Sequence, residues 1–125
     1  MEKANKGLRI TLVLLVALIV SANLAWAQSA KDAYRALYAL QSAIDNNARM
    51  IDLERAYRNA DMEINMYLDS PQSKSEEDIA NTVKYASVLY FLLYKGVKSG
   101  EYDVKSAEEA ERQLKILGLI VNRSK

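Results

Sequence analysis

Residues 76–99 read EEDIANTVKYASVLYFLLYKGVKS, and this stretch decides the fold. Ile79, Val83, Ala86, Tyr90, Leu93 and Val97 recur at alternating steps of four and three, the spacing of one helix face. Val88, Leu89, Phe91 and Leu92 fill much of the remaining circumference. A helix that is apolar nearly all round is normally buried, so this one is expected to be the spine of the core. Ser75 is placed to cap its start, and Glu76, Glu77 and Asp78 suit the positive end of its dipole. Lys95 and Lys98 suit the other end, and Gly100 stands where a glycine stop belongs.

Working outward, the rest of the chain carries the same signal. In residues 30–44, Ala33, Leu37, Leu40 and Ile44 form a helical seam, and Asp45-Asn46-Asn47 then breaks it. A second helix is expected from Ala48 or Asp52 to Leu68, on the seam Leu53, Tyr57, Ala60, Ile64 and Tyr67. Asp69-Ser70-Pro71 ends it, because proline disfavours helix at the residue before it. Residues 72–75 read as a polar linker. Ser106 with Glu109 reads as the capping box of a last helix whose seam is Ala107, Ala110, Leu114, Leu117 and Val121, with residues 122–125 fraying. One proline and four glycines in the whole chain leave few breaks. The expectation is an all-α fold, an antiparallel four-helix bundle forming a single domain over residues 28–125.

The N-terminus carries an address. Lys3, Lys6 and Arg9 precede the apolar run ITLVLLVALIV at residues 10–20, and Ala25-Trp26-Ala27 closes the segment. Basic start, short apolar core and small-residue end are the parts of a secretory signal peptide over residues 1–27, cut before Gln28. Retention of the segment as an N-terminal anchor is the other reading, although Ser21 and Asn23 interrupt its apolar run. The most apolar later stretch, residues 85–94, is too short to span a bilayer and suits a buried helix. The expected location is therefore periplasmic or secreted, with no stable membrane span after cleavage.

Composition narrows the chemistry. Cysteine and histidine are both absent. That removes a thiol nucleophile, a lipid-modified N-terminal cysteine, c-type haem attachment, an imidazole base, the usual zinc sites and the Glu-x-x-His pair of di-iron bundles. No EF-hand loop supports calcium. Formal charge is +1, and losing Lys3, Lys6, Arg9 and Glu2 with the signal peptide leaves a near-neutral chain with no basic field for nucleic acid. No catalytic residue, cofactor or metal site is expected.

Two clusters remain as candidate surfaces. The chain holds eight tyrosines, with Tyr34 and Tyr38, and Tyr90 and Tyr94, one turn apart. Tyr85, Tyr90 and Tyr94 could line a cavity for an apolar or ring-bearing ligand. Equally, each ring could pack at the core edge with its hydroxyl in water, or serve a protein interface. Arg49, Arg55 and Arg58 beside Tyr57 form the densest basic-aromatic cluster. Their guanidinium forks could grip a carboxylate, or pair with Asp52 and Glu54 on a solvated face. The carboxylates Glu54, Asp61, Glu63, Glu108, Glu109 and Glu111 converge in no acid–base pair. The candidate ligand or partner surface is thus Tyr85, Tyr90, Tyr94, Arg55, Tyr57 and Arg58.

Two resemblances follow from these residues. Leu37, Leu40, Gln41, Ile44 and Asp45 stand as in the opening helix of helical chorismate mutases, except that the family has an arginine where this chain has Gln41. That resemblance implies a rearrangement catalysed by positioning alone. Ala36-Leu37, Leu40, Ala43, Leu53, Ala60, Glu63-Ile64, Tyr67-Leu68, Ser70-Pro71 and Tyr85-Ala86-x-Val88 together resemble small exported all-helical bacterial proteins without an assigned function. This second likeness implies a bacterial source. The functional expectation is a non-enzymatic protein that binds a partner protein or envelope component. A small-molecule carrier with a Tyr-lined interior and an exported mutase-like enzyme are the alternatives. Any apolar patch left on the spine helix would mark an interface, with a homodimer among its possible uses.

Overall fold

The structure is a computed structural model and describes residues 29–123. The expected signal peptide over residues 1–27, and its expected cut before Gln28, lie outside the described residues. Within them the chain is all-helical. Its elements are α1 (Ala30–Asp45), α2 (Met50–Leu68), α3 (Pro71–Ser75), α4 (Glu77–Ser99) and α5 (Val104–Arg123). None of these helices is long and apolar enough to cross a membrane.

The seams read from the sequence are the buried faces. α1 buries Ala30, Ala33, Ala36, Leu37 and Leu40, and α2 buries Leu53, Ala60, Ile64 and Tyr67. α4 buries Ala80, Val83, Ala86, Leu89, Tyr90, Leu93 and Tyr94, and α5 buries Ala110, Leu114, Leu117, Gly118 and Val121. Ile44, Tyr57, Ile79, Val97 and Ala107 are partly buried around this core. Each fully buried Leu or Val removes enough apolar surface from water to contribute about 1.5–3 kcal/mol. α1 and α4 pack against each other, and both pack against α2 and α5, so these two helices form the centre.

Termination follows local chemistry. At the start of α1 the Asp32 carboxylate accepts the Ser29 N–H at 2.9 Å. After α1, Asn47 adopts φ 50°, a left-handed conformation that asparagine tolerates better than most residues. Gly100 takes φ 78° and donates its N–H to the Gly96 carbonyl, as a glycine stop should.

Three local expectations need correction. Residues 72–75 are part of a helical turn, α3, rather than a linker. Pro71 sits at its first position, where the missing N–H costs nothing and the fixed φ suits a helix. Ser70 caps it by accepting the Ser73 N–H, while the Ser73 hydroxyl donates to the Leu68 and Ser70 carbonyls at 2.9 and 2.8 Å. Secondly, Ser75 does not cap α4, because its hydroxyl is given to the Gln72 carbonyl at 2.8 Å. Glu76 occupies the capping position and makes no side-chain cap; its carboxylate accepts the Tyr67 hydroxyl at 2.7 Å instead. Thirdly, α5 begins before Ser106, so that residue cannot cap it. Asp103 does, accepting the Lys105 N–H at 3.2 Å and the Ser106 hydroxyl at 2.7 Å. These donors, the Ser106 hydroxyl first, hold the Asp103 carboxyl below its ordinary range.

The spine helix departs from expectation on one side. α4 packs against every other helix, yet Tyr85, Val88, Phe91 and Leu92 stay exposed on its outer face. Helices α1, α2 and α5 with the short α3 cover only part of its circumference.

Candidate interaction surface

The apolar residues of the outer α4 face are Tyr85, Val88, Phe91 and Leu92, exposed by 47, 57, 39 and 51 %. They fall within about two helical turns, at spacings that place them on one side of the rod. Lys84, Lys95 and Lys98 stand exposed around them. Other exposed apolar side chains of the long helices fall in smaller groups: Met50 with Ile51 and Met62 with Met66 on α2, set apart by Arg55 and Arg58, and Ile116 with Leu119 on α5.

An aromatic cluster anchors one edge of the face. Tyr57 of α2 stacks on Tyr94 of α4 with centroids 4.2 Å apart and planes 2° from parallel. Phe91 leans on the same Tyr57 ring at 6.1 Å and 40°. Lys95 Nζ lies 4.9 Å from the Phe91 centroid, and Lys98 Nζ lies 5.9 Å from that of Tyr94. Such cation–π contacts fix ammonium groups over apolar rings without removing them from water. Burial, then the charge of Asp61 and the Tyr94 ring, raise the Tyr57 hydroxyl above its ordinary pKa. A shallow cleft of about 530 Å³ adjoins this edge, lined by Leu92, Lys95, Gly96, Lys98, Ser99 and Glu101.

At the opposite edge the Tyr85 hydroxyl donates to Glu109 Oε1 across a long 3.3 Å. Arg112 donates to both Glu109 oxygens, at 2.9 and 2.7 Å, and Gln113 to one at 3.2 Å. Those donors, Arg112 foremost, lower the Glu109 carboxyl. The edge is thus a fixed polar rim.

The residues singled out from the sequence go different ways. Tyr57 and Tyr94 meet in the stack, and Tyr85 lies on the exposed face. Tyr90 is only 1 % exposed and points inward, donating its hydroxyl to Gln41 Oε1 at 2.6 Å. Gln41 in turn donates to Asp45 at 2.8 Å, so a polar relay ties α4 to α1. Burial, reinforced by the charges of Glu111 and Asp45, pushes the Tyr90 hydroxyl well above its ordinary pKa. Tyr85, Tyr90 and Tyr94 therefore turn to three different neighbours rather than around one space.

The arginines pair outward. Arg58 bonds Glu54 at 2.6 Å, Arg49 bonds Asp52 at 3.1 Å, and Arg55 lies 3.9 Å from Asp52. All three are about three-quarters or more exposed, and such pairs contribute little net stability. They do not converge on a pocket. No group of three or more acidic side chains placed to hold a metal occurs among the described residues.

Sequence reasoning missed Phe91, Lys95 and Lys98 as parts of one surface with Val88 and Leu92. The signal was present, in apolar residues too numerous for one helix face, with lysines between and beside them. What emerges is an all-helical protein whose α4 leaves an apolar face to solvent, edged by a cation-capped aromatic cluster. No family model, curated protein or solved structure matches the chain.

Proposed function

We propose that this chain is a small exported helical protein that works by binding rather than catalysis, in the bacterial envelope. On this reading residues 1–27 are removed as a signal peptide, and residues 28–125 act in the periplasm or outside the cell. The long helices α1, α2, α4 and α5 form an antiparallel four-helix bundle, with α3 as the bend between α2 and α4. The outer face of α4 is the contact surface for a partner protein or envelope component.

The observation that carries this reading is the exposure of Tyr85, Val88, Phe91 and Leu92 on a helix whose opposite face is core. A contiguous apolar patch rimmed by polar groups is the usual mark of an interaction site on a soluble domain. Tyr and Phe supply large contact area at low cost in side-chain entropy. The absence of His and Cys from the chain, and the outward pairing of Arg49, Arg55 and Arg58, favour binding over chemistry.

A photo-reactive residue at Leu92, compared with one at the exposed Arg35, tests the face in cells expressing the full chain. An envelope adduct formed from position 92 and missing from position 35 is the expected result. Identical labelling from both positions would remove the proposal. The mass of the exported chain checks the address: it should begin at Gln28, and a mass beginning at Met1 would overturn cleavage.

A further inference from the structure

We infer that the occupant of the outer α4 face is a second copy of this chain, packed α4 against α4 in antiparallel orientation. The inference rests on reading that face as the contact surface. Its basis is the order of charge along the helix. Glu77 and Asp78 stand exposed in the first turn, Lys98 in the last, and Lys95 shortly before it. Tyr85, Val88, Phe91 and Leu92 occupy the stretch between. A two-fold axis across the middle of the face reverses this order, bringing acid to base and apolar to apolar. Such a face is complementary to itself, which is the requirement for an isologous dimer.

Helical register sharpens the match. When Glu77 is set opposite Lys98 of the second copy, Tyr85 falls beside its Leu92, apolar on apolar, and Lys84 faces its Phe91, an ammonium over an aromatic ring. Glu77, Lys84, Phe91 and Lys98 follow one another at steps of seven, so they share a strip of the helix and their partners in the pairing face them. Two-fold symmetry forms every such pair twice. A parallel arrangement would instead set acid on acid and lysine on lysine. An anionic membrane surface fits less well, because Glu77 and Asp78 would be pressed onto like charge at one end of the face.

Sedimentation equilibrium of the exported chain over a wide concentration series reads this directly. A monomer–dimer equilibrium is expected, with Val88→Glu and Leu92→Glu monomeric throughout while keeping the wild-type helical circular dichroism. Glu77→Lys and Lys98→Glu should each weaken the dimer on the order of tenfold, since each breaks two symmetric pairs and sets like charges together. The double variant Glu77→Lys/Lys98→Glu restores opposite charges and should return to within about threefold of wild type. A wild-type chain that stays monomeric, a dimer indifferent to Leu92→Glu, or a double variant as weak as the singles would each overturn the inference. Cross-linking from position 92 to a different envelope protein by a monomeric chain would overturn self-pairing and leave the contact-surface reading intact. A monomer that gives no adduct from that position would end both.

Discussion

Two buried hydroxyls show how single residues tie this fold to pH. Tyr90 and Tyr67 are essentially inaccessible, and each donates to an oxygen on another helix or its cap, Gln41 and Glu76 respectively. Burial is the first cause holding both phenols protonated beyond the ordinary range, and for Tyr67 the bond to the Glu76 carboxylate adds to it. In the unfolded chain the same phenols ionise near 10.0, the ordinary value of a tyrosine. Below that value both states hold the proton and the full stability is present. Above it the unfolded state alone releases protons, so folding weakens by about 1.4 kcal/mol per pH unit for each tyrosine. Urea denaturation should therefore show stability flat from neutral pH up to about pH 10 and falling beyond it, with the last tyrosinate absorbance appearing only as helicity is lost. Tyr90→Phe should cost about 1 kcal/mol at neutral pH by removing the bond to the half-buried Gln41 carbonyl, and should make the alkaline fall shallower. Equal alkaline slopes for wild type and Tyr90→Phe would show that this phenol is not held as described.

At the scale of elements, the helices were legible where spacing alone decides, and the junctions were not. Seams such as Leu53, Ala60, Ile64 and Tyr67 needed only period and apolarity, and their burial follows. The caps depended on competition between neighbouring side chains, which spacing does not rank. Ser106 with Glu109 had the pattern of a capping box, but Asp103 lies three residues earlier, and a carboxylate accepts the free N–H groups of a helix start more strongly. Asp103→Ala should therefore lower the melting midpoint clearly, and Ser106→Ala by less than half as much; the reverse order would restore the Ser106 cap. Glycines make a second contrast. A Cβ on Gly96 would stand 2.6 Å from the Glu101 carbonyl oxygen, where the chain folds back after α4. That oxygen belongs to backbone and cannot rotate away, so Gly96→Ala should cost about 2–3 kcal/mol by distorting the turn. On Gly118 the added Cβ would meet the Tyr34 hydroxyl at 2.9 Å and the outer edge of its ring at 3.0 Å, side-chain atoms rather than backbone. There a helix-propensity gain of up to about 1 kcal/mol offsets the crowding, and Gly118→Ala should lie near neutral. Paired urea titrations of the two variants decide the point, since comparable losses would mean that Tyr34 is as fixed as the backbone.

For the whole molecule, the sequence carried the surplus of apolar residues on α4 but not its use. Spacing shows that Val88, Leu89, Phe91 and Leu92 surround the helix, and only the packing of α1, α2 and α5 decides that Leu89 goes inside while the other three stay out. The same packing brought Tyr57 under Phe91 and Tyr94, a contact between α2 and α4 that no one-dimensional pattern contains. This division has a thermodynamic consequence that separates stability from association. Leu93 is 2 % exposed, and truncation to alanine there removes core contacts, so Leu93→Ala should lose about 2–5 kcal/mol. Val88 and Leu92 touch solvent over half their surface, so Val88→Ala and Leu92→Ala should fall within about 0.5 kcal/mol of wild type in dilute solution. Raising protein concentration changes the comparison, because an assembly that buries the outer face stabilises the wild-type fold by mass action and the face variants much less. The melting midpoint of the wild type should therefore climb with concentration while that of Leu92→Ala stays nearly level. A Leu92→Ala variant already several kcal/mol less stable when dilute would place this side chain in the core, and the division between the two faces of α4 would have to be redrawn.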